Sequence, residues 1–121
     1  MKHLSISLVL LFVISPATSQ EVQLFGHRGA KGHAPENTVV SVKKALAFDV
    51  DGVEIDVFRC KSGEIVIFHD KSLDKLTNGS GKIEEKTLNQ LSTLKVLGSE
   101  PIPTLDKIIN VINGSARLNV E

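Results

Sequence analysis

Val53-Glu54-Ile55-Asp56-Val57-Phe58-Arg59-Cys60, then Lys61-Ser62-Gly63-Glu64, then Ile65-Val66-Ile67-Phe68-His69-Asp70, is the stretch on which the fold turns. Strict alternation from Val53 to Val57 reads as a strand, with Val53, Ile55 and Val57 on one face and Glu54 and Asp56 on the other. The link Lys61-Ser62-Gly63-Glu64 is too short for a parallel crossover, so Ile65 to Phe68 is predicted to return antiparallel. With Ser62-Gly63 as a two-residue turn, Cys60 pairs with Ile65, Phe58 with Ile67 and Asp56 with His69. Paired residues point to one side of a sheet, so parity delivers His69 beside Glu54 and Asp56. Two carboxylates on an inward face are costly unless neutralised, and a divalent cation is the simplest neutraliser.

Upstream, Val22 to Phe25 is predicted as a strand that runs into Gly26-His27-Arg28-Gly29. His27 then sits at a strand's carboxyl end, where parallel α/β folds carry their chemistry on loops held by rigid strands. Arg28 offers a planar, permanently charged fork suited to phosphate oxygens, or to an ion pair with Glu36 or Asp70. Glu36 supports such a site, or serves the helix dipole of the segment it precedes. Asn37 or Thr38 can cap a helix over Val39 to Phe48, whose apolar residues Val39, Val42 and Leu46, with Val50 beyond, keep helical spacing.

Downstream, Asp70 to Pro103 is polar and turn-rich, with Asn78-Gly79-Ser80-Gly81 as a flexible link and Leu88, Leu91 and Leu94 as a short packing stripe. Thr104 is predicted to cap a helix whose core face is Leu105, Ile108, Ile109 and Ile112, ending near Asn113-Gly114. Arg117 to Glu121 alternates like a half-buried strand, with Asn119 and Glu121 on one face. Strand, loop and helix units in this order predict an α/β fold with a parallel sheet. There is no internal repeat and no sign of a second domain.

The chain has 121 residues, zero formal charge, one cysteine and neither tryptophan nor tyrosine. Zero net charge removes global attraction to nucleic acid or anionic membranes, and without aromatic platforms base stacking has no support. A lone Cys60 excludes an internal disulfide framework. Lys2, an apolar run from Leu4 to Ile14, and small residues at Ala17 and Ser19 read as a cleavable signal peptide over residues 1–19, followed by one domain over 20–121. The run is too short to span a bilayer, which needs ~20 residues, so no stable membrane anchor is expected and the location is secreted or periplasmic. The carboxyl end is a strand pattern without a turn or cap, so the sequence predicts a fragment; the alternative is a short protein completed by oligomerising.

The blocks Gly26-His27-Arg28-Gly29, Pro35-Glu36-Asn37-Thr38, Glu54-Ile55-Asp56 and Phe68-His69-Asp70 resemble the amino-terminal part of the glycerophosphodiester phosphodiesterase family. The resemblance implies the amino-terminal part of a distorted TIM (β/α)8 barrel, a fold of ~250 residues. It also implies hydrolysis of a small-molecule glycerophosphodiester to sn-glycerol 3-phosphate and an alcohol. By matching position, His27 and His69 are the acid and base pair, Arg28 binds phosphate, and Glu54, Asp56 and Glu121 hold Ca2+ or Mg2+. Glu36 and Asp70 are supporting residues. Competing readings are a related barrel phosphodiesterase of the sphingomyelinase D or phosphoinositide phospholipase C type, and an inactive fragment or metal-binding module.

Overall fold

The computed structural model describes residues 21–121, so the signal peptide expected over 1–19 lies outside the described residues. In chain order the elements are β1 (Phe25–Gly26), α1 (Val39–Ala47), β2 (Gly52–Ile55), β3 (Val57–Arg59), β4 (Ile65–Ile67), a 3-10 turn (Ile83–Glu85), α2 (Leu88–Leu91), β5 (Lys95–Val96), β6 (Glu100–Pro101), α3 (Leu105–Ile112) and β7 (Arg117–Val120).

β1, β2 and β7 form a parallel sheet in that order, with Gly26 beside Val53 and Glu54 beside Asn119. Parallel neighbours require crossovers, and α1 and α3 supply them. Val53, Ile55, Val42, Ala45, Ile108 and Ile112 form the core between this sheet and the two helices. Each fully buried valine or isoleucine contributes ~1.5–3 kcal/mol relative to exposure.

Helix α1 begins where Thr38 makes a reciprocal capping box with Ser41, each hydroxyl accepting the other residue's N–H at 3.2 Å. It stops because Asp49 takes a left-handed φ of 56°. In α3, Thr104 is the cap and Asn113, at φ 45°, ends the helix. Ile108 and Ile112 are buried as expected, but Ile109 is 49% exposed. Val111 packs against the core in its place, because a stripe centred on Ile108 and Ile112 turns position 109 outward.

Two expectations at the sheet are corrected. The strand predicted from Val22 to Phe25 covers only Phe25–Gly26. Asp51 takes hold of Leu24 before it can pair: the Leu24 N–H donates to Asp51 Oδ2 at 2.7 Å, and the Leu24 carbonyl accepts the Asp51 N–H at 2.9 Å. The hairpin also forms with a register one residue away from that expected, pairing Val57 with Ile67, Phe58 with Val66 and Arg59 with Ile65. Gly63 at φ 105° makes the loop three residues long, closed by the Gly63 N–H on the Cys60 carbonyl at 2.9 Å and the Cys60 N–H on the Glu64 carbonyl at 2.9 Å. Asp56 therefore meets Phe68, whose N–H it accepts at 3.0 Å, and His69 falls beyond the pair.

Between β2 and α3 the chain makes an excursion with its own core: Cys60, Val66, Phe68, Leu73, Ile83, Leu91, Val96 and Ile102. The leucine stripe packs there as predicted, Leu91 buried and Leu88 and Leu94 beside it. The Asn78-Gly79 link is not loose. Asn78 Oδ1 accepts the Lys95 N–H at 2.8 Å, the Gly79 N–H donates to Thr77 Oγ1 at 3.0 Å, and a Cβ on Gly79 would stand 2.6 Å from the Leu94 side chain.

Candidate active site

The loop leaving β1 is tied at both ends. Arg28 and Gly29 take consecutive left-handed conformations, φ 55° and 77°. The Arg28 carbonyl accepts the Asn37 N–H at 2.9 Å and the Ser41 hydroxyl at 3.0 Å. The Gly29 N–H reaches the Glu54 carbonyl at 3.2 Å, and the Ala30 N–H reaches the Ser41 carbonyl at 2.9 Å. These bonds anchor His27 and Arg28 to the end of β2 and to the start of α1. A non-glycine residue at left-handed φ costs about 1–3 kcal/mol and persists where neighbours over-determine it.

Arg28 is the centre of the charge network. Its Nη1 donates to Glu36 Oε1 at 2.8 Å, so of the two ion pairs the sequence allowed, the Glu36 pair forms. Its Nε lies 3.3 Å from Asp56 Oδ2 as an ion pair without hydrogen-bond alignment, and no other acceptor reaches that buried nitrogen. Asp70 instead faces His69, with Oδ1 2.5 Å from Nδ1. A carboxylate can only accept, so this bond places the proton of a neutral His69 on Nδ1 and leaves Nε2 bare. His27 Nε2 stands 3.4 Å from Glu54 Oε1, with the His27 side chain half-exposed.

The structure thus joins His27 to Glu54, Arg28 to both Glu36 and Asp56, and His69 to Asp70. Among the described residues no hydrogen bond or ion pair links His69 to His27, Glu54 or Asp56. Glu121 is placed by its backbone: its N–H donates to the Ile55 carbonyl at 3.0 Å and its carbonyl accepts the Val57 N–H at 2.9 Å. It is therefore the neighbour of Asp56 across the parallel ladder, and Glu54, Asp56 and Glu121 share one rim of the sheet. The donor set is all oxygen, which suits a hard cation. Among the described residues no three histidine, cysteine or acidic side chains are already clustered as metal ligands.

Sequence reasoning missed what Asn37 does. Thr38 takes the capping role that either residue was assigned, and Asn37, 1% exposed, turns instead to Asp56. Its Nδ2 donates to Asp56 Oδ2 at 2.8 Å and its Oδ1 accepts the Asp56 N–H at 3.2 Å. The available signal was local: once threonine caps, a neighbouring buried amide must find another partner.

Parallel strands with crossover helices and a polar cluster at the strands' carboxyl ends are the opening units of an α/β barrel. The chain belongs to the glycerophosphoryl diester phosphodiesterase family, whose family model matches residues 27–121. It is 34% identical over 96 residues to the glycerophosphodiester phosphodiesterase of Caldanaerobacter subterraneus, covering 74% of this chain and 40% of that protein. It is 32% identical over 108 residues to the glycerophosphodiester phosphodiesterase of Bacillus altitudinis, covering 82% and 44%. Among solved structures, an Oleispira antarctica phosphodiesterase in complex with the product sn-glycerol-3-phosphate superposes with a TM-score of 0.77 at 38% identity, covering 82% of this chain and 43% of that one. A glycerophosphodiester phosphodiesterase from Agrobacterium tumefaciens gives 0.78 at 29% identity, covering 83% and 46%. These neighbours are TIM barrels, and the chain spans less than half the length of each.

Proposed function

We propose that the protein hydrolyses glycerophosphodiesters to sn-glycerol 3-phosphate and an alcohol with the help of Ca2+ or Mg2+, this chain supplying the first part of the barrel. The observation that carries the reading is the joining of His27 and Arg28, at the end of β1, to Glu54 and Asp56, at the end of β2, by contacts of 3.4 and 3.3 Å. Support also comes from the Oleispira antarctica relative, whose structure holds sn-glycerol-3-phosphate.

A phosphodiester presents negative oxygens, and Arg28 meets them with a guanidinium that Glu36 and Asp56 hold in place. Glu54, Asp56 and Glu121 would hold the cation, which when bound would stabilise the charge that builds on the phosphoryl oxygens. His27 and His69 move the protons: one histidine takes the proton of the attacking oxygen, the other gives a proton to the departing alcohol. Asp70 fixes the ring and tautomer of His69, so that its Nε2 is the atom that exchanges a proton. The segment 1–19 directs the protein to a secreted or periplasmic location.

The test is release of sn-glycerol 3-phosphate from glycerophosphocholine, with sphingomyelin and phosphatidylinositol in parallel, each with calcium, magnesium or EDTA. Metal-dependent cleavage of glycerophosphocholine alone is the expected result. Cleavage of either lipid in preference to it would replace this reading with one of the related barrel phosphodiesterases.

A further inference from the structure

Asn37 is buried, 1% exposed, and takes a left-handed φ of 56°. Its backbone N–H goes to the Arg28 carbonyl at 2.9 Å, and both polar atoms of its side chain go to Asp56. The acceptor holds the Asp56 N–H where the chain leaves β2, and the donor holds Oδ2 of the carboxylate. Among the described residues the other carboxylate oxygen, Oδ1, takes no hydrogen bond. We infer that Asn37 is a positioning residue: its carboxamide brackets Asp56, fixes the carboxylate through Oδ2, and leaves Oδ1 as the oxygen offered to a cation.

This rests on the reading of Asp56 as a cation ligand, and deepens it. A capping role for Asn37 is ruled out by the Thr38–Ser41 pair, which already closes the start of α1. Without the amide, Oδ2 keeps only the unaligned contact with Arg28 Nε at 3.3 Å, and the carboxylate is free to rotate toward that charge. A ligand that must be re-oriented on binding has lost its pre-organisation, and outer-sphere partners of this kind are worth roughly 10–100-fold in metal affinity.

The test is calorimetric titration of the purified protein with CaCl2 and with MgCl2, comparing the unsubstituted chain with Asn37→Gly and Thr38→Ala. Glycine accepts the left-handed φ, so Asn37→Gly removes the bracket without backbone strain. Thr38→Ala disturbs the same turn while sparing Asp56, so it separates a local folding defect from a positioning defect. The expected result is a cation Kd weakened about 10–100-fold in Asn37→Gly. Thr38→Ala should lower the thermal midpoint and keep the original Kd. Should Asn37→Gly fail to fold by circular dichroism, Asn37→Ser, which keeps a polar group in the space but cannot span both Asp56 atoms, replaces it with the same expectation. Equal Kd values in the unsubstituted and residue-37 variants would overturn the bracket while leaving the cation site standing. No binding of either cation by the unsubstituted protein would overturn the cation reading of Asp56, and the bracket with it.

Discussion

Gly29 and Gly98 offer a matched pair, because both sit at φ +77°. At Gly98 a Cβ would meet nothing within 4 Å, whereas at Gly29 it would stand 2.4 Å from Ser41 Oγ and 2.6 Å from the Ser41 carbonyl carbon. Left-handed backbone costs an alanine about 1–2 kcal/mol, and the reduced freedom of the unfolded chain returns about 0.4–1 kcal/mol. Gly98→Ala should therefore cost about 1 kcal/mol. Gly29→Ala adds an overlap with the backbone of α1, which cannot yield without shifting the helix, and overpacking of this kind costs about 1–3 kcal/mol more. At ~4–8 °C per kcal/mol for a domain of this size, the midpoints should fall by roughly 4–8 °C for Gly98→Ala and roughly 8–32 °C for Gly29→Ala. Thermal unfolding followed by circular dichroism measures both. Equal shifts would refute the close approach of the β1 loop to α1, and with it the account of how His27 and Arg28 are anchored.

Two further outcomes follow from the same contacts. Arg28→Lys keeps the charge but loses the fork that reaches Glu36 and Asp56 together, so kcat/KM should fall about 10–100-fold, the equivalent of one charge-assisted hydrogen bond of ~1.5–3 kcal/mol; unchanged kinetics would remove Arg28 from the site. The Ser62 hydroxyl, then the backbone of the loop and the Cys60 thiol, hold the Glu64 carboxyl below its ordinary value of 4.5. A depressed carboxyl favours the folded loop above pH 4.5 and loses that contribution as pH falls through the lowered value. In an NMR titration Ser62→Ala should move the Glu64 transition upward, and an unmoved transition would contradict the Ser62 contact.

Much of this architecture is legible in the residues. β2 is visible because alternation over Val53 to Val57 leaves one buried face, and the hairpin is visible because its link cannot support a crossover. Its register was not, since one left-handed glycine, Gly63, lengthens the loop by a residue and shifts every pair. Turn geometry, which apolar patterning does not encode, decided that point. The stretch Val22 to Phe25 suggested a longer β1, but a side-chain grip on Leu24 from Asp51, 27 residues away, won over strand pairing. In the excursion core only the Leu88, Leu91 and Leu94 stripe was legible, because Leu73, Ile83, Val96 and Ile102 are spaced without a period. At the site, single residues were readable as chemistry while their partners were not. His27, Arg28, Glu54 and Asp56 stand where strand ends place them, yet the Asn37 contact to Asp56 spans 19 residues of sequence.

The measurement that bears most directly on the account is release of sn-glycerol 3-phosphate from glycerophosphocholine by the unsubstituted protein, by His27→Ala and by His69→Ala, with and without EDTA. The account predicts metal-dependent release that both substitutions reduce by about 10²–10⁴-fold, the usual contribution of a positioned proton donor or acceptor. Release that persists in either variant, or in EDTA, would contradict it.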